Sequence, residues 1–379
     1  MSALLTALLD SVGDAVFVLD AAGRVRSANP AGARLLGREC RDLLGVDFHG
    51  AVHGCVLDGG GGPHGECPLV QGRRHGEAVR LDRDRLLRGD GGVVPVTLAG
   101  TPLGDGGGDG WLVVASDRSA AVALEKRAHQ DAEARSQVAA IRRALHAGRF
   151  VLHAQPVVDL ATSEVVQHEL LLRMQKPDGG LALPGDFLTV AEEHGLIRAI
   201  DGWVLRRAAA IAGSGHPVQV NLSAASLGDA TLATAVEDAL RAANADPRDV
   251  VIEITETAVI RNEAAASAFL DHMRRLGCLV ALDDFGTGYG GFRQLKSLPV
   301  DILKIDVEFV RDLPASRASR HVVEAVVSLA RAFGQRTIAE GVENRETLAL
   351  VVQLGVDFAQ GHHLGRPRPL HDAFGVARA

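Results

Sequence analysis

Lysine is nearly missing from this 379-residue chain: only four of its 40 basic residues are lysines, so each one is an exception. One of the four is Lys304. Cysteine is equally scarce, four in all with three between Cys40 and Cys67, which excludes a disulfide-stapled scaffold. No apolar run reaches transmembrane length. The opening stretch, MSALLTALLDSVGDAVFVLD, lacks the basic start of a secretion signal and carries Asp10 and Asp14. These absences predict a soluble, cytoplasmic chain with no membrane partner. A net charge of -7, with no basic run interleaved with aromatics, argues against a DNA or RNA polymer as ligand. Local arginines leave a small phosphate-bearing ligand open. The length allows two domains, the larger reaching the roughly 250 residues of a closed α/β barrel.

The most informative stretch is LVALDDFGTGY, Leu279 to Tyr289. An apolar run ends in two adjacent carboxylates and a loop with two glycines, as a buried strand does when it delivers charge to its own tip. Two such aspartates can bridge a pair of metal ions, one side chain facing each. By itself the pair is equally compatible with a solvated turn or a helix cap.

Residues 1 to about 117 alternate short apolar runs with glycine-rich turns, DGGGGP at 58–63 and GDGGGDG at 104–110 among them. This suits a small, loop-rich α+β domain. The segment DAVFVLDAAGRVRSANPAGARLLG reads as strand, tight turn at Ala22-Gly23, second strand, then Asn29-Pro30 leading into a helix. It resembles the opening of a PAS sensor domain, with Val93 to Thr97 and Trp111 to Ala115 as later strands. The segment GRECRDLLG at 37–45 is similar to the cysteine motif of flavin-binding light sensors, but it stands at the wrong distance from Asn29, and a photosensor is rejected. The same region gathers His49, His53, Cys55, His64 and Cys67, five borderline or soft donors within 19 residues. Metal or redox sensing is one reading of that cluster; ordinary loop and helix residues are the other.

From Asp117 to about His146 the glycines give way to Ala, Glu, Arg and Gln, as in a helix. Ala134, Val138, Ile141 and Leu145 keep a 4-3-4 spacing, but Arg127 and Asp131 occupy the preceding turns of that seam. A parallel coiled coil therefore fits only the second half. The stretch reads as a connector passing sensor state onward. The expected division is 1–117 sensor, 118–137 connector and 138–379 output domain.

Beyond Phe150, short apolar strands alternate with amphipathic helices. Strands are expected at Val151 to Val158, Val165 to Arg173, Val218 to Ser223, Val250 to Thr255, Leu279 to Asp284, Ile302 to Asp306, Thr337 to Glu340 and Phe358 to Gln360. Eight strands with intervening helices predict an α/β fold of (β/α)8 type, whose chemistry sits at the C-terminal strand ends. Alternate residues of a strand share a face. Glu169 therefore aligns with Leu171 and Arg173, Asn221 with Gln219 and Ser223, Glu253 with Val251 and Thr255, Asp283 with Ala281, and Lys304 with Ile302 and Asp306. Each strand offers one apolar face to the helices and an acid, amide or lysine on the other. Such a cluster is costly to bury without cations. Oxygen donors favour magnesium or manganese over zinc, and carboxylates around one lysine suit hydrolysis at phosphorus.

The motifs QPVV (155–158), ELLLR (169–173), NLS (221–223), EITE (253–256), DDFGTGY (283–289), LPVDILKID (298–306), AEGVE (339–343) and QGHHLGRP (360–367) closely resemble the EAL family of cyclic di-GMP phosphodiesterases, from about Val138 to Arg368. The resemblance implies a barrel with one strand reversed. It further implies Glu169, Asn221, Glu253 and Asp283 as first-metal ligands, with Asp283 bridging to a second ion that draws on Asp284 and Glu340. Lys304 matches the residue contacting the nucleophilic water and Asp306 a supporting acid. Gln360 matches a glutamine beside the active site, Gln155 and Arg173 match contacts to guanine and phosphate, and Glu256 matches the anchor of the loop after strand five.

The departures are few. Leu170 replaces the signature alanine at a position facing the helices. Gly290 and Gly291 replace small polar residues, which loosens the loop and its coupling to a dimer partner. Ala154 and His362 replace aromatics, the former weakening guanine binding. Taken singly, Asn221 fits a turn cap, Glu253 and Arg173 a structural ion pair, and Lys304 a satisfied barrel lysine. The ordered set does not. The expectation is a PAS-regulated, homodimeric phosphodiesterase that opens cyclic di-GMP to linear pGpG with two Mg2+ or Mn2+ ions, its PAS ligand unknown. The alternatives are a catalytically slow cyclic di-GMP receptor and a phosphodiesterase for another dinucleotide.

Overall fold

This computed structural model describes residues 3–53, 67–104, 110–261, 263–286 and 298–375. Cys55, His64, Tyr289, Gly290 and Gly291 lie outside the described residues. The chain divides into two compact units, Met1–Glu133 and Ala134–Ala379.

The N-terminal unit holds an antiparallel five-stranded sheet of β1 (Ala15–Leu19), β2 (Val25–Ala28), β3 (Val79–Leu87), β4 (Val93–Pro102) and β5 (Trp111–Asp117), ordered β2-β1-β5-β4-β3. Strand β1, AVFVL, is rich in β-branched and aromatic residues and is buried along most of its length. Asn29 ends the hairpin by capping the helix Pro30–Leu36. Its Oδ1 accepts from the backbone N–H groups of Gly32 and Val16, and its Nδ2 donates to the carbonyls of Leu9 and Asp14. Pro30 then supplies the helical φ at N1, and Gly37 closes the helix in the left-handed region at φ +60°. The strand–turn–strand–Asn-Pro–helix order expected from the sequence is therefore observed.

A single helix, Ser119–His146, runs across the division between the units. Its second half carries the seam expected to pair as a coiled coil, and the structure uses it differently. Ile141 and Ala144 are fully buried in the core of the C-terminal unit, with Leu145 packed against them. Apolar side chains already covered by the barrel are not available to a coiled-coil partner.

The C-terminal unit closes into an eight-stranded barrel. Its strands are β6 (Phe150–Asp159), β7 (Val165–Gln175), β9 (Val218–Asn221), β10 (Val250–Thr255), β11 (Leu279–Phe285), β12 (Ile302–Ile305), β13 (Arg336–Ala339) and β14 (Phe358–Ala359). Short strands β8 (Leu181–Ala182) and β15 (Arg368–Pro369) extend β7 and β6. All neighbours in the barrel are parallel except β6, which is antiparallel to both β7 and β14. The eight strands and the reversed one match the expectation. The helix Arg317–Phe333 illustrates the outer layer: Ser316 caps it, and Val323, Val326, Val327 and Ala330, spaced i, i+3, i+4 and i+7, face the barrel.

Strand parity divides the barrel sharply. Leu170, Val220, Ile252, Ile254, Val280, Leu282, Leu303 and Ile305 pack outward against the helices. Ala154 joins them, so its small side chain is directed away from the barrel interior and its expected effect on guanine binding has no basis in contact. Inside, Val157, Val251, Ala281, Ile302, Ile338 and Phe358 form a separate apolar plug. Each such burial contributes roughly 1.5–3 kcal/mol for the larger side chains. Two residues further along the same inward face come Glu253, Asp283, Lys304, Glu340 and Gln360. On the reversed strand the count runs backwards, from Val157 to Gln155. The plug thus sets a floor and the period of two places a polar ring directly above it.

Candidate active site

Two polar networks hold the ring, one on each wall of the barrel. Glu169, on β7, accepts from Asn221 Nδ2 at 2.7 Å through Oε1 and from Gln360 Nε2 at 2.6 Å through Oε2. Gln360 Nε2 also donates to Gln155 Oε1 at 3.0 Å, and Gln155 Nε2 donates to the Gly365 carbonyl at 3.0 Å. On the opposite wall Lys304, 1% exposed, places Nζ 2.6 Å from Glu340, 2.8 Å from Glu253 and 3.3 Å from Asp283. A lysine this deeply buried survives because it has charged partners.

Adjacent residues on a strand point to opposite faces, so Asp284 would be expected to turn away from Asp283. It does not. A register shift between Leu282 and Phe285 coincides with a left-handed backbone at Asp284, φ +56°. Carboxylate oxygens of Asp283, Asp284 and Glu340 come within 4.8 Å of one another. Asp306, one residue past β12, sets a further carboxylate beside Asp284 and caps the helix Val307–Asp312 by accepting from the Glu308 N–H at 2.7 Å.

Five carboxylates, Glu169, Glu253, Asp283, Asp284 and Glu340, therefore surround one ammonium. Burial lowers the Lys304 pKa, but Glu169, Glu253, Glu340 and Asp283 more than offset it and hold the ammonium well above its ordinary range. Burial raises Glu253 well above the usual carboxylate range, with Glu169 and Asp283 adding to it and Lys304 opposing. Burial likewise pushes Glu340 up to about 7, against Lys304, with Asp283 and Glu169 reinforcing. Asp284 reaches about 6 through burial and the Asp283 charge. The excess of negative charge calls for cations. Glu253 Oε1 is buried with no hydrogen-bond partner among the described residues, and Asp283 Oδ1, also without a hydrogen bond there, has only the 3.3 Å ion-pair contact with Lys304. An orphaned Glu253 oxygen, an all-oxygen donor set and a close carboxylate triplet fit divalent magnesium or manganese.

A cavity of about 330 Å³ opens above the ring, lined in part by Gln155, Glu169, Asp283, Glu340, Gln360 and His362. Arg173 is half-buried on the inward face of β7 and donates from Nη1 to its neighbour Leu172's carbonyl at 2.7 Å, outside this lining. Glu256, at the start of the helix Glu256–Arg261, is buried with both oxygens unpartnered among the described residues. The loop it is expected to anchor runs into 287–297, outside them.

Two positions escaped the sequence reading. Glu343 lines the cavity, and its signal was its place at the end of AEGVE, behind Gly341. Asp201 is buried in the helix Ile197–Gly213, accepting from Ser226 Oγ at 2.6 Å and from the Ser223 N–H at 3.2 Å, and so braces the turn after Asn221. An aspartate midway between Ile197 and Leu205 on an apolar helix face was the available signal.

The family model for the EAL domain matches residues 138–367, and that for the PAS fold matches 3–118. Cyclic di-GMP phosphodiesterase NbdA of Pseudomonas aeruginosa is 37% identical over 237 residues, which are 61% of this chain and 30% of that protein. The uncharacterized protein y4lL of Sinorhizobium fredii is 31% identical over 371 residues, 97% of this chain and 41% of its own length. The chain thus spans less than half of these relatives. A solved structure described as PaMucR phosphodiesterase in complex with c-di-GMP superposes with a TM-score of 0.60 at 34% identity, covering 63% of this chain and all of that one. The inward carboxylates, the lysine and the reversed barrel strand all lie within the matched residues 138–367, and the chain belongs to the EAL domain family, with a PAS fold preceding the EAL domain.

Proposed function

We propose that the barrel hydrolyses cyclic di-GMP to linear pGpG with two Mg2+ or Mn2+ ions, under control of the PAS domain, as a cytoplasmic homodimer. The observation that carries this reading is the buried, unpartnered Glu253 Oε1 beside the close Asp283, Asp284 and Glu340 carboxylates, within a ring that has a residue at every expected ligand position. Relatives named as cyclic di-GMP phosphodiesterases, and the named c-di-GMP complex, supply the substrate.

Glu169, Asn221, Glu253 and Asp283 would hold one ion, and Asp283, Asp284 and Glu340 the other. When bound, the ions neutralise the phosphate and acidify water. Glu253 and Glu340 fix the Lys304 ammonium at 2.8 and 2.6 Å, and the third N–H, which makes only the longer 3.3 Å contact with Asp283, is the one that turns to the attacking water and fixes its approach. Water adds to one phosphorus, the bond from phosphorus to the 3′ oxygen breaks, and that oxygen leaves with a proton. Gln360 and Asn221 hold the two Glu169 oxygens in place. Gln155 and Arg173 contact the guanine and the phosphate. Glu256 ties the loop after β11 to the site, and the 118–137 connector carries sensor state to it. A slow receptor would be expected to have lost a ligand, and none is lost.

The test is turnover of cyclic di-GMP by the full-length chain with Mg2+ or Mn2+, beside Glu169→Ala and a metal-free control. Metal-dependent pGpG that the substitution abolishes is the expected result. Tight binding without turnover in either metal would replace the enzyme with the receptor.

A further inference from the structure

We infer that His49, His53 and Cys67 form a binding site for a zinc-class transition ion in the PAS domain, with Asp84 as the carboxylate that orients His53. Two segments supply the donors. His49 lies in the helix Phe48–Ala51, His53 follows it, and Cys67 is the residue capping the helix Pro68–His75. An antiparallel bridge between His53 and Leu86, with the Leu87 N–H donating to the Val52 carbonyl at 2.7 Å, pins His53 against β3. That register brings Asp84 beneath the imidazole.

The geometry is that of a ligand set. One donor atom from each of His49, His53 and Cys67 lies within 4.8 Å of the others. His53 and Cys67 are buried, at 3% and 7% exposure. His53 Nε2 is 2.6 Å from Asp84 Oδ2, which leaves Nδ1 as the atom a metal would take in exchange for its proton; in the metal-free chain burial lowers the His53 pKa, but the hydrogen bonds to Asp84 and Cys67 more than offset it and raise it to about 9. Nδ1 faces Cys67 Sγ at 3.6 Å. Zinc bonds of about 2.3 Å to sulfur and about 2.05 Å to nitrogen, set at a tetrahedral angle, separate the two atoms by about 3.6 Å. The carboxylate–histidine arrangement is the usual way a protein fixes the tautomer of a metal-ligating imidazole.

Donor chemistry separates this site from the barrel. Two imidazoles and a thiolate select zinc and its late-transition neighbours, whereas the all-oxygen ring selects magnesium or manganese. The two sites in one chain therefore fill from different ions. The inference does not depend on the barrel's activity.

Cobalt(II) is the probe, titrated into the metal-free full-length chain. With excess magnesium present to occupy the barrel, a thiolate-to-cobalt charge-transfer absorption in the near ultraviolet is expected, with the intensity of one thiolate-bound cobalt per chain at saturation and erased by zinc. Oxygen ligands in the barrel cannot produce that band, so Glu169→Ala leaves it unchanged. Cys67→Ser abolishes it. Asp84→Asn keeps the band and weakens cobalt affinity about 10- to 100-fold, which a merely structural aspartate would not do. His49→Ala weakens affinity and alters the visible bands. No charge-transfer band in the parent chain, or a band that survives Cys67→Ser, overturns the proposal and leaves Asp84, His53 and Cys67 as a hydrogen-bonded row.

Discussion

Asp283 and Asp284 are consecutive on one strand, yet their carboxylates share a site with Glu340, because Asp284 adopts φ +56° where the strand slips register. A left-handed non-glycine residue costs on the order of 1–3 kcal/mol, and a second carboxylate beside the first adds repulsion. The strain persists where it delivers a charge that a regular strand cannot. Asp284→Asn tests this, since asparagine tolerates the left-handed region but carries no charge. The metal-free melting temperature is expected to rise by about 2–4 °C, while metal-dependent turnover falls at least about 100-fold. A fall in both would show that the carboxylate stabilises the apo site instead.

Glu340 and Asp284 predict a pH window. Burial raises their folded pKa values to about 7 and about 6, against about 4.3 and about 3.9 unfolded. The metal-free fold binds protons that the unfolded chain releases, so this contribution is complete below about pH 4 and is lost as pH rises through 6 to 7. Cations compete for the same oxygens. Manganese affinity is therefore expected to strengthen about 10- to 100-fold from about pH 5.5 to about pH 7.5, with proton release visible in calorimetry across buffers of different ionisation heat. A flat affinity profile would remove these two residues from the ion's first contacts.

Asp201 gives a pH signature away from the metals. Burial raises it to about 6, with the Ser226 hydroxyl and the Ser223 N–H offsetting part of that rise. Its stabilising contribution is full below about 3.9 and disappears as pH passes about 6, a change of roughly 2–3 kcal/mol. Asp201→Asn lacks that slope. Its unfolding free energy relative to the parent, measured for the C-terminal domain by urea, is expected to improve by about 2 kcal/mol between about pH 4.5 and about pH 7.5. A constant offset would mean that Asp201 titrates normally.

Gly341 holds Glu340 in place through its own lack of a side chain. Its φ is +69°, and a Cβ there would stand 2.2 Å from Val307 Cγ2. Gly341→Ala is expected to destabilise the domain by about 2–4 kcal/mol. Adding Val307→Ala removes the clash and leaves about 1 kcal/mol of backbone strain. Urea melts of the two single variants and the double variant measure the coupling. Strictly additive losses would show that φ alone dictates the glycine.

Much of the barrel was legible because a period of two needs no tertiary information. Val251 and Glu253, Ala281 and Asp283, and Ile302 and Lys304 had to share a face, and that face had to be the one turned from the helices. The capping asparagine at 29 was legible for the same local reason, since Asn before Pro announces a helix start. Asp201 was hidden by distance: only the packed turn at Ser223–Ser226 explains a buried aspartate in that helix. The Ile141 and Leu145 spacing was ambiguous in principle, because one apolar stripe suits a coiled-coil partner and a barrel equally well.

The sequence by itself determined the strand count, the inward polar ring and the residue types that meet there, because side-chain alternation and donor chemistry are local properties. Only the tertiary structure decided that Asp284 turns inward with Asp283, that Gln155, Gln360 and Asn221 meet around Glu169, and that Lys304 sits among three acids. Those outcomes depend on barrel closure and on a backbone distortion, which bring together residues as much as 205 positions apart in the case of Gln155 and Gln360.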